Sequence, residues 1–161
     1  MNETQAREFI ADIGSSMFER RLTFGSSGNI SVRIDGGWLM TPTGSSLGRL
    51  DPAKLSKLDD TGKLISGDAP TKESFLHLAM YRERDKAGAV VHLHSTHSVA
   101  VSCLHGIDHD DVLPPITAYY IMRVGKLPLV PYLAPGDMAL GEAVGRLAAK
   151  HSAMLLANHG P

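Results

Sequence analysis

Eight histidines stand in a chain of 161 residues, and His92-Leu93-His94 is the sharpest pattern among them. Successive side chains of a β-strand alternate faces, so His92 and His94 share one face, about 7 Å apart along the chain. Two imidazoles placed this way at the end of a strand can both reach one divalent cation. The plainer reading is a pair of partly buried histidines bonded to neighbouring backbone. Glu73 stands at the start of a predicted helix and His159 in a loop after a predicted strand. With them the set would be three imidazoles and one carboxylate, which suits Zn²⁺. Taken singly, Glu73 reads as an acidic residue favoured by a helix dipole, and His159 as a turn histidine. Spacing alone does not bring the four together. His77 and His97 read as supporting or surface residues, and His105, His109 and His151 as solvated ones.

Two loops carry groups suited to an anion. Gly25-Ser26-Ser27-Gly28-Asn29 and Thr43-Gly44-Ser45-Ser46 offer main-chain N–H groups and hydroxyls that can cradle a phosphate. The helix start at Thr71-Lys72 adds a dipole end and a cation. Each loop alone is ordinary turn chemistry, and neither is a P-loop or a dinucleotide fingerprint. Tyr119 and Tyr120 are neighbours in a predicted strand and so face opposite ways, one to the core and the other to a site or a neighbouring subunit. Cys103 reads as a small core residue of a helix.

The elements that must position these groups follow from periodicity. Residues 4–21 form an amphipathic helix capped by Thr4, with Phe9, Ile10, Ile13, Met17 and Phe18 near one face. Residues 30–34 and 38–40 make a hairpin about Asp35-Gly36-Gly37. Short strands are predicted near 55–58 and 63–65. A helix runs from Pro70 to about Arg84, with Phe75, Leu76, Ala79 and Met80 as its apolar stripe. A strand follows at 89–94. Next comes a helix capped by Ser95 that contains Val99, Ala100 and Cys103, then a polar loop over 105–115. Strands are predicted at 116–122 and 127–132, a helix from Pro135-Gly136-Asp137 to about Lys150, and a last strand at 154–157. Strands that first pair as a hairpin and later alternate with helices make an α/β domain with a mixed sheet. No helix or tail follows the last strand, so the C-terminal part of the domain is expected to be missing.

Composition narrows the classes. A chain of 17.3 kDa buries about two-thirds of its surface, enough for one core, so residues 1–161 are read as a single domain. With 43% apolar and 20% charged residues the chain is not disordered. A net charge of −1 gives no basic excess for nucleic acid or an anionic membrane. The single cysteine excludes a disulfide framework and a thiolate zinc cluster. Apolar runs are short and the first residues are not a signal peptide, so a soluble, cytoplasmic protein is expected.

Gly28-Asn29, Thr43-Gly44, Thr71-Lys72-Glu73, His92-Leu93-His94-Ser95 and Ala157-Asn158-His159-Gly160, in this order, resemble the class II aldolase family typified by L-fuculose-phosphate aldolase. The resemblance runs from about residue 20 to the end of the chain. It implies a three-layer α/β/α fold with a central mixed, largely antiparallel sheet. It implies Zn²⁺, or another divalent cation, held by His92, His94 and His159, with Glu73 touching the metal and serving as acid/base. The phosphate pocket would correspond to Ser26, Gly28, Asn29, Thr43, Gly44, Thr71 and Lys72. Homotetramers with sites at subunit interfaces are also implied, and Tyr119 from a neighbouring subunit is a second candidate proton carrier.

The chain departs from the family's sugar-phosphate aldolases at Lys72, where they usually carry a small hydroxyl residue. Leu39–Gly48, Leu50-Asp51-Pro52, Ser66-Gly67-Asp68 and Met122–Gly125 leading to Pro128–Tyr132 resemble one branch, decarboxylases acting on 3-oxo-tetronate 4-phosphates. That branch implies conversion of a phosphorylated four-carbon sugar acid to dihydroxyacetone phosphate and CO₂ through an enediolate whose charge a metal can take up. A sugar-phosphate aldolase or epimerase is the alternative, and a non-catalytic metal-binding or assembly domain a third reading. Family enzymes are usually longer, so a C-terminal helical region is expected beyond Pro161.

Overall fold

Strand β1 (Asn29–Ile34) divides the protein into two sides, because its side chains alternate. The computed structural model describes residues 2–134 and 136–161. β1 pairs antiparallel with β2 (Gly37–Met40), Ser31 standing opposite Met40, and with β5 (Ala89–His92), Asn29 standing opposite His92. β3 (Ser56–Asp59) and β4 (Leu64–Ser66) extend the sheet beyond β2 in the order β4-β3-β2-β1-β5.

On one side Ile30 and Val32 pack with Leu39, Leu47 and Leu55 beneath α1 (Glu3–Glu19), which contributes Ala6 and Ile10. α1 is capped by Asn2 rather than Thr4. The Asn2 side chain accepts from the Gln5 main-chain N–H at 2.9 Å, and the Gln5 side chain accepts from the Asn2 N–H at 3.1 Å. This reciprocal pair satisfies two otherwise orphaned donors. The expected apolar stripe is narrower than predicted, since Phe9 is 46% exposed.

On the other side Ser31 and Asn29 face α2 (Ser74–Glu83). Behind α2 lies α5 (Met138–Ala148), whose Leu140, Ala143, Val144 and Ala148 pack with Leu76 and Ala79. Val130 of β6 (Leu129–Val130) and Leu156 of β7 (Leu155–Leu156) join the same core. The result is three layers, with α1 on one face of the sheet and α2 and α5 on the other. Pairing in the five-stranded sheet is antiparallel throughout, and parallel pairing is confined, among the described residues, to β6 with β7.

Three local expectations are corrected. Residues 116–122 are not a strand. Ala118–Arg123 form helix α4, started by the Thr117 hydroxyl accepting from Tyr120 N–H at 3.0 Å, so a residue type that favours strands serves here as a cap. Tyr119 and Tyr120 therefore lie on a helix, about 100° apart instead of 180°, yet Tyr120 packs toward the core and Tyr119 is exposed, as expected. Cys103 is not core. It is the residue after α3 (Thr96–Ser102) and is exposed, while Ser102 turns inward. The strand predicted at 89–94 ends at His92, so His94 stands just beyond it. α5 is capped by Asp137, which accepts from Ala139 N–H at 2.9 Å. Pro135, placed at that helix start, lies outside the described residues. Among the described residues no helix is long and apolar enough to cross a membrane.

Candidate metal centre

The end of the sheet where β1 begins and β5 finishes gathers four separate segments. His92 closes β5. Leu93 turns toward the α1 side and joins its core, and His94 follows on the opposite side. The loop before β1 runs tightly against this segment. Gly28 has φ 79°, and a Cβ there would come within 3.0 Å of the His92 carbonyl oxygen, so a larger residue would push the loop away. His159 sits in the turn after β7, where Asn158 takes the left-handed conformation with φ 56°, one that asparagine tolerates. That turn is stapled to β5. Leu93 N–H donates to the Pro161 carbonyl oxygen at 3.2 Å, and His92 Nδ1–H donates to the same oxygen at 2.8 Å. Glu73 directly precedes α2, and Asn29 Nδ2 donates to its Oε2 at 2.8 Å.

One ligand atom from each of Glu73, His92, His94 and His159 falls within a set whose members are all within 4.8 Å of one another. His94 Nε2 lies 3.0 Å from His92 Nε2 and 3.1 Å from His159 Nε2. Glu73 Oε1 is 3.2 Å from His159 Nε2, and Oε2 is 3.5 Å from His92 Nε2. An ion about 2.0–2.1 Å from four tetrahedral ligands requires about 3.3–3.4 Å between neighbouring ligand atoms. The donor set therefore fits Zn²⁺ or a similar cation. The three rings stand nearly perpendicular, at 76°, 89° and 82°, so each nitrogen meets the others edge-on. Donation from His92 Nδ1 leaves its Nε2 lone pair free toward the others.

Electrostatics suit the same role. Burial pushes His92 down to about 4, with the like charges of His159 and His94 adding to it against the pull of Glu73. Burial likewise lowers His94, helped by His159. Burial on its own would raise Glu73. The hydrogen bond from His159, the charge of His92 and the Asn29 amide outweigh it and hold the carboxyl at about 2. At neutral pH this leaves His92 and His94 neutral and the Glu73 carboxylate charged, the protonation states that bind a metal.

Behind Glu73 runs a buried polar chain that the sequence reading left unassembled. Asn29 Oδ1 is in a short hydrogen bond with His77 Nε2, His77 Nδ1 meets Ser31 Oγ at 2.7 Å, and Ser31 Oγ meets Tyr81 Oη at 2.9 Å. The signal was present in the spacing. Residues 73, 77 and 81 lie one helical turn apart, and 29 and 31 share one face of a strand.

Of the other expected site residues, Thr43, Thr71 and Asn29 are tied by hydrogen bonds to the segment around Glu73. Thr43 N–H donates to Ala69 O at 2.9 Å and Thr71 N–H to Thr41 O at 3.1 Å, so the Thr43-Gly44 loop runs beside the segment leading to Glu73. Thr71 is buried, and its hydroxyl accepts from Glu73 N–H at 3.3 Å. Ser26, Thr43, Gly44 and Lys72 are exposed. The Asn29 side chain bonds both Glu73 and His77. Tyr119 is 66% exposed on α4, with the Arg123 guanidinium 5.3 Å from its ring centre, and no hydrogen bond joins it to the four-residue cluster among the described residues. His97, His105 and His109 are exposed, and His151 is half-buried. A cavity of about 330 Å³ opens beside the cluster, lined by Phe24, His94, Thr96, Val99, Asn158 and His159. A larger one of about 420 Å³ reaches His92 and His77 from the apolar side between α2 and α5, and contains none of the other three ligands.

Residues 8–161 match the model of the Class II Aldolase and Adducin N-terminal domain. The chain is 50% identical over 161 residues to 3-oxo-tetronate 4-phosphate decarboxylase of Pectobacterium atrosepticum, covering 99% of this chain and 74% of that protein. It is 35% identical over 164 residues to an L-fuculose phosphate aldolase of Escherichia coli, covering 99% of this chain and 73% of that one. The crystal structure of YgbL from Escherichia coli superposes with a TM-score of 0.96 at 50% identity, covering 99% of this chain and 77% of that one.

Proposed function

Because this chain belongs to the class II aldolase family, we propose that it is a metal-dependent decarboxylase converting a 3-oxo-tetronate 4-phosphate to dihydroxyacetone phosphate and CO₂, in the breakdown of four-carbon sugar acids. The observation that carries this reading is the convergence of one ionised carboxylate and three imidazoles beside an open cavity, in a chain half identical to enzymes of that name. Glu73, His92, His94 and His159 are the residues that would hold Zn²⁺. When bound, the cation supplies Lewis-acid stabilisation of the negative charge that develops on the substrate's oxygens.

In this reaction the C1–C2 bond breaks, CO₂ leaves, and the electron pair stays on C2, conjugated with the C3 ketone. Glu73 then gives C2 its proton. Glu73 is ionised, so it must first take that proton from substrate or solvent. Asn29 keeps the carboxylate aimed at the imidazoles. Ser26, Gly28, Asn29, Thr43, Gly44 and Thr71 form the phosphate pocket, their loops meeting around the start of α2. They bind far from the bond that breaks and so orient the substrate. Lys72, exposed beside Glu73, neutralises the phosphate or the C1 carboxylate. Tyr119 is the second proton carrier, supplied by a neighbouring subunit of a homotetramer. The exposed Ile116, Tyr119, Ile121 and Met122 on and before α4 support such an interface. The place of action is the cytoplasm.

The test is a coupled assay for dihydroxyacetone phosphate and CO₂ with the zinc-loaded protein and each 3-oxo-tetronate 4-phosphate stereoisomer. Equal amounts of both products are expected. An aldehyde co-product from a sugar phosphate, with no CO₂ from any sugar acid, would replace this reading with an aldolase.

A further inference from the structure

We propose that His77 is a positioning residue for the metal centre: bonded through Nε2–H to Asn29, it fixes the Asn29 amide so that the amide N–H group must face Glu73. The role in turnover rests on the decarboxylase reading above, whereas the role at the carboxylate does not.

Donors must face acceptors at every step of this buried chain. An ionised carboxylate only accepts, so the Asn29 group 2.8 Å from Glu73 Oε2 is the NH₂ and the group facing His77 is the carbonyl oxygen. His77 Nε2 must then carry a proton. A neutral imidazole carries only one, so Nδ1 accepts, and Ser31 Oγ–H at 2.7 Å is its donor. Tyr81 Oη donates to Ser31 O at 3.0 Å and closes the far end. Nothing else can take over, because His77 is 0% and Asn29 5% exposed. Without a donor at the His77 position the amide could turn and set its oxygen against the carboxylate. Among the described residues His77 makes its side-chain hydrogen bonds to Ser31 and Asn29 and none to the four ligand residues, so it acts through Asn29.

Three measurements test this on the full chain. In the metal-free protein, nitrogen NMR should show His77 protonated on Nε2 and bare on Nδ1 throughout the neutral range. H77F, which keeps ring volume but has no donor, should weaken zinc affinity by about 10–100-fold and lower the rate of CO₂ release at saturating substrate by a similar factor, with KM changed by no more than about twofold. H77Q, whose amide N–H can reach Asn29, should recover most of both. A residue needed only for packing would leave H77F at least as good as H77Q. A proton on Nδ1 in the wild type, or zinc affinity equal in H77F and H77Q, would overturn the proposal. Should H77F fail to fold, a full 10–100-fold loss of zinc affinity in folded H77Q would do the same. Zinc binding and the Nε2–H form as expected, with no CO₂ from any stereoisomer, would uphold the positioning role and overturn the decarboxylase reading instead.

Discussion

The two faces of β1 solve different problems with alternate residues of one strand. Toward α1, Ile30 and Val32 meet Ala6, Ile10, Leu39 and Leu55, contacts that depend on volume and not on direction. Toward α2, Asn29 and Ser31 meet Glu73, His77 and Tyr81, contacts in which donors must face acceptors and direction matters. The first face stabilises the fold without taking part in chemistry. The second holds a charged group in a buried setting, which is affordable only when each polar partner is satisfied. Substitutions on the two faces should therefore fail in different ways.

The sharpest contrast is Glu73→Gln against Leu39→Ala. The Gln variant keeps the size but loses the charge and the titrating proton. Single-turnover CO₂ release should fall by about 10²–10⁴-fold, while zinc content, checked in the same sample, falls less because three histidines remain. A metal-loaded Gln variant with a near-normal rate would remove Glu73 from proton transfer. Leu39→Ala, fully buried on the α1 face, should cost about 2–5 kcal/mol in urea denaturation. Its turnover per folded molecule should stay unchanged, and a large loss there would break the division between the faces.

Acid should act through the α2 face. Burial holds His92 at about 4 and His77 at about 3, both below the ordinary 6.5. The unfolded chain thus takes up protons first, and the stability of the metal-free protein should decline from about pH 6.5 down to those folded values, by at most about 1.4 kcal/mol per pH unit per group. Glu73, at about 2 against an ordinary 4.5, adds a loss of the same sign below 4.5. Urea titrations between about pH 7 and about pH 5 should show the slope, and His77→Gln should flatten it where Leu39→Ala does not. The smallest effect is expected at the far end of α1. Asn2→Ala removes the capping box and should cost about 1 kcal/mol in thermal or urea unfolding with no change in rate.

Much of the candidate site was legible one residue at a time. His92 and His94, the glycine-bearing loops and Glu73 at a helix start are local patterns, and local patterns survive in sequence because backbone geometry repeats at fixed periods. Element types were legible for the same reason, apart from Ile116–Met122. There a run rich in β-branched and aromatic residues pointed to a strand, and the Thr117 cap produced a helix. Cys103 was misjudged because it ends α3 about 100° around the helix from the buried Ser102 and so faces outward.

By itself the sequence determined the inventory: which residues can ligate, donate or turn, and in what order they come. Only the tertiary structure decided that Glu73 and His159, far apart in the chain, come within 3.2 Å, and that Asn29 aims Glu73 instead of simply ending a loop. The physical reason is that periodicity reports only neighbours within a few residues. The meeting of α2, β5 and the turn after β7 depends on how the cores on the two sides of the sheet pack, and the buried polar chain exists only once α2 lies across β1.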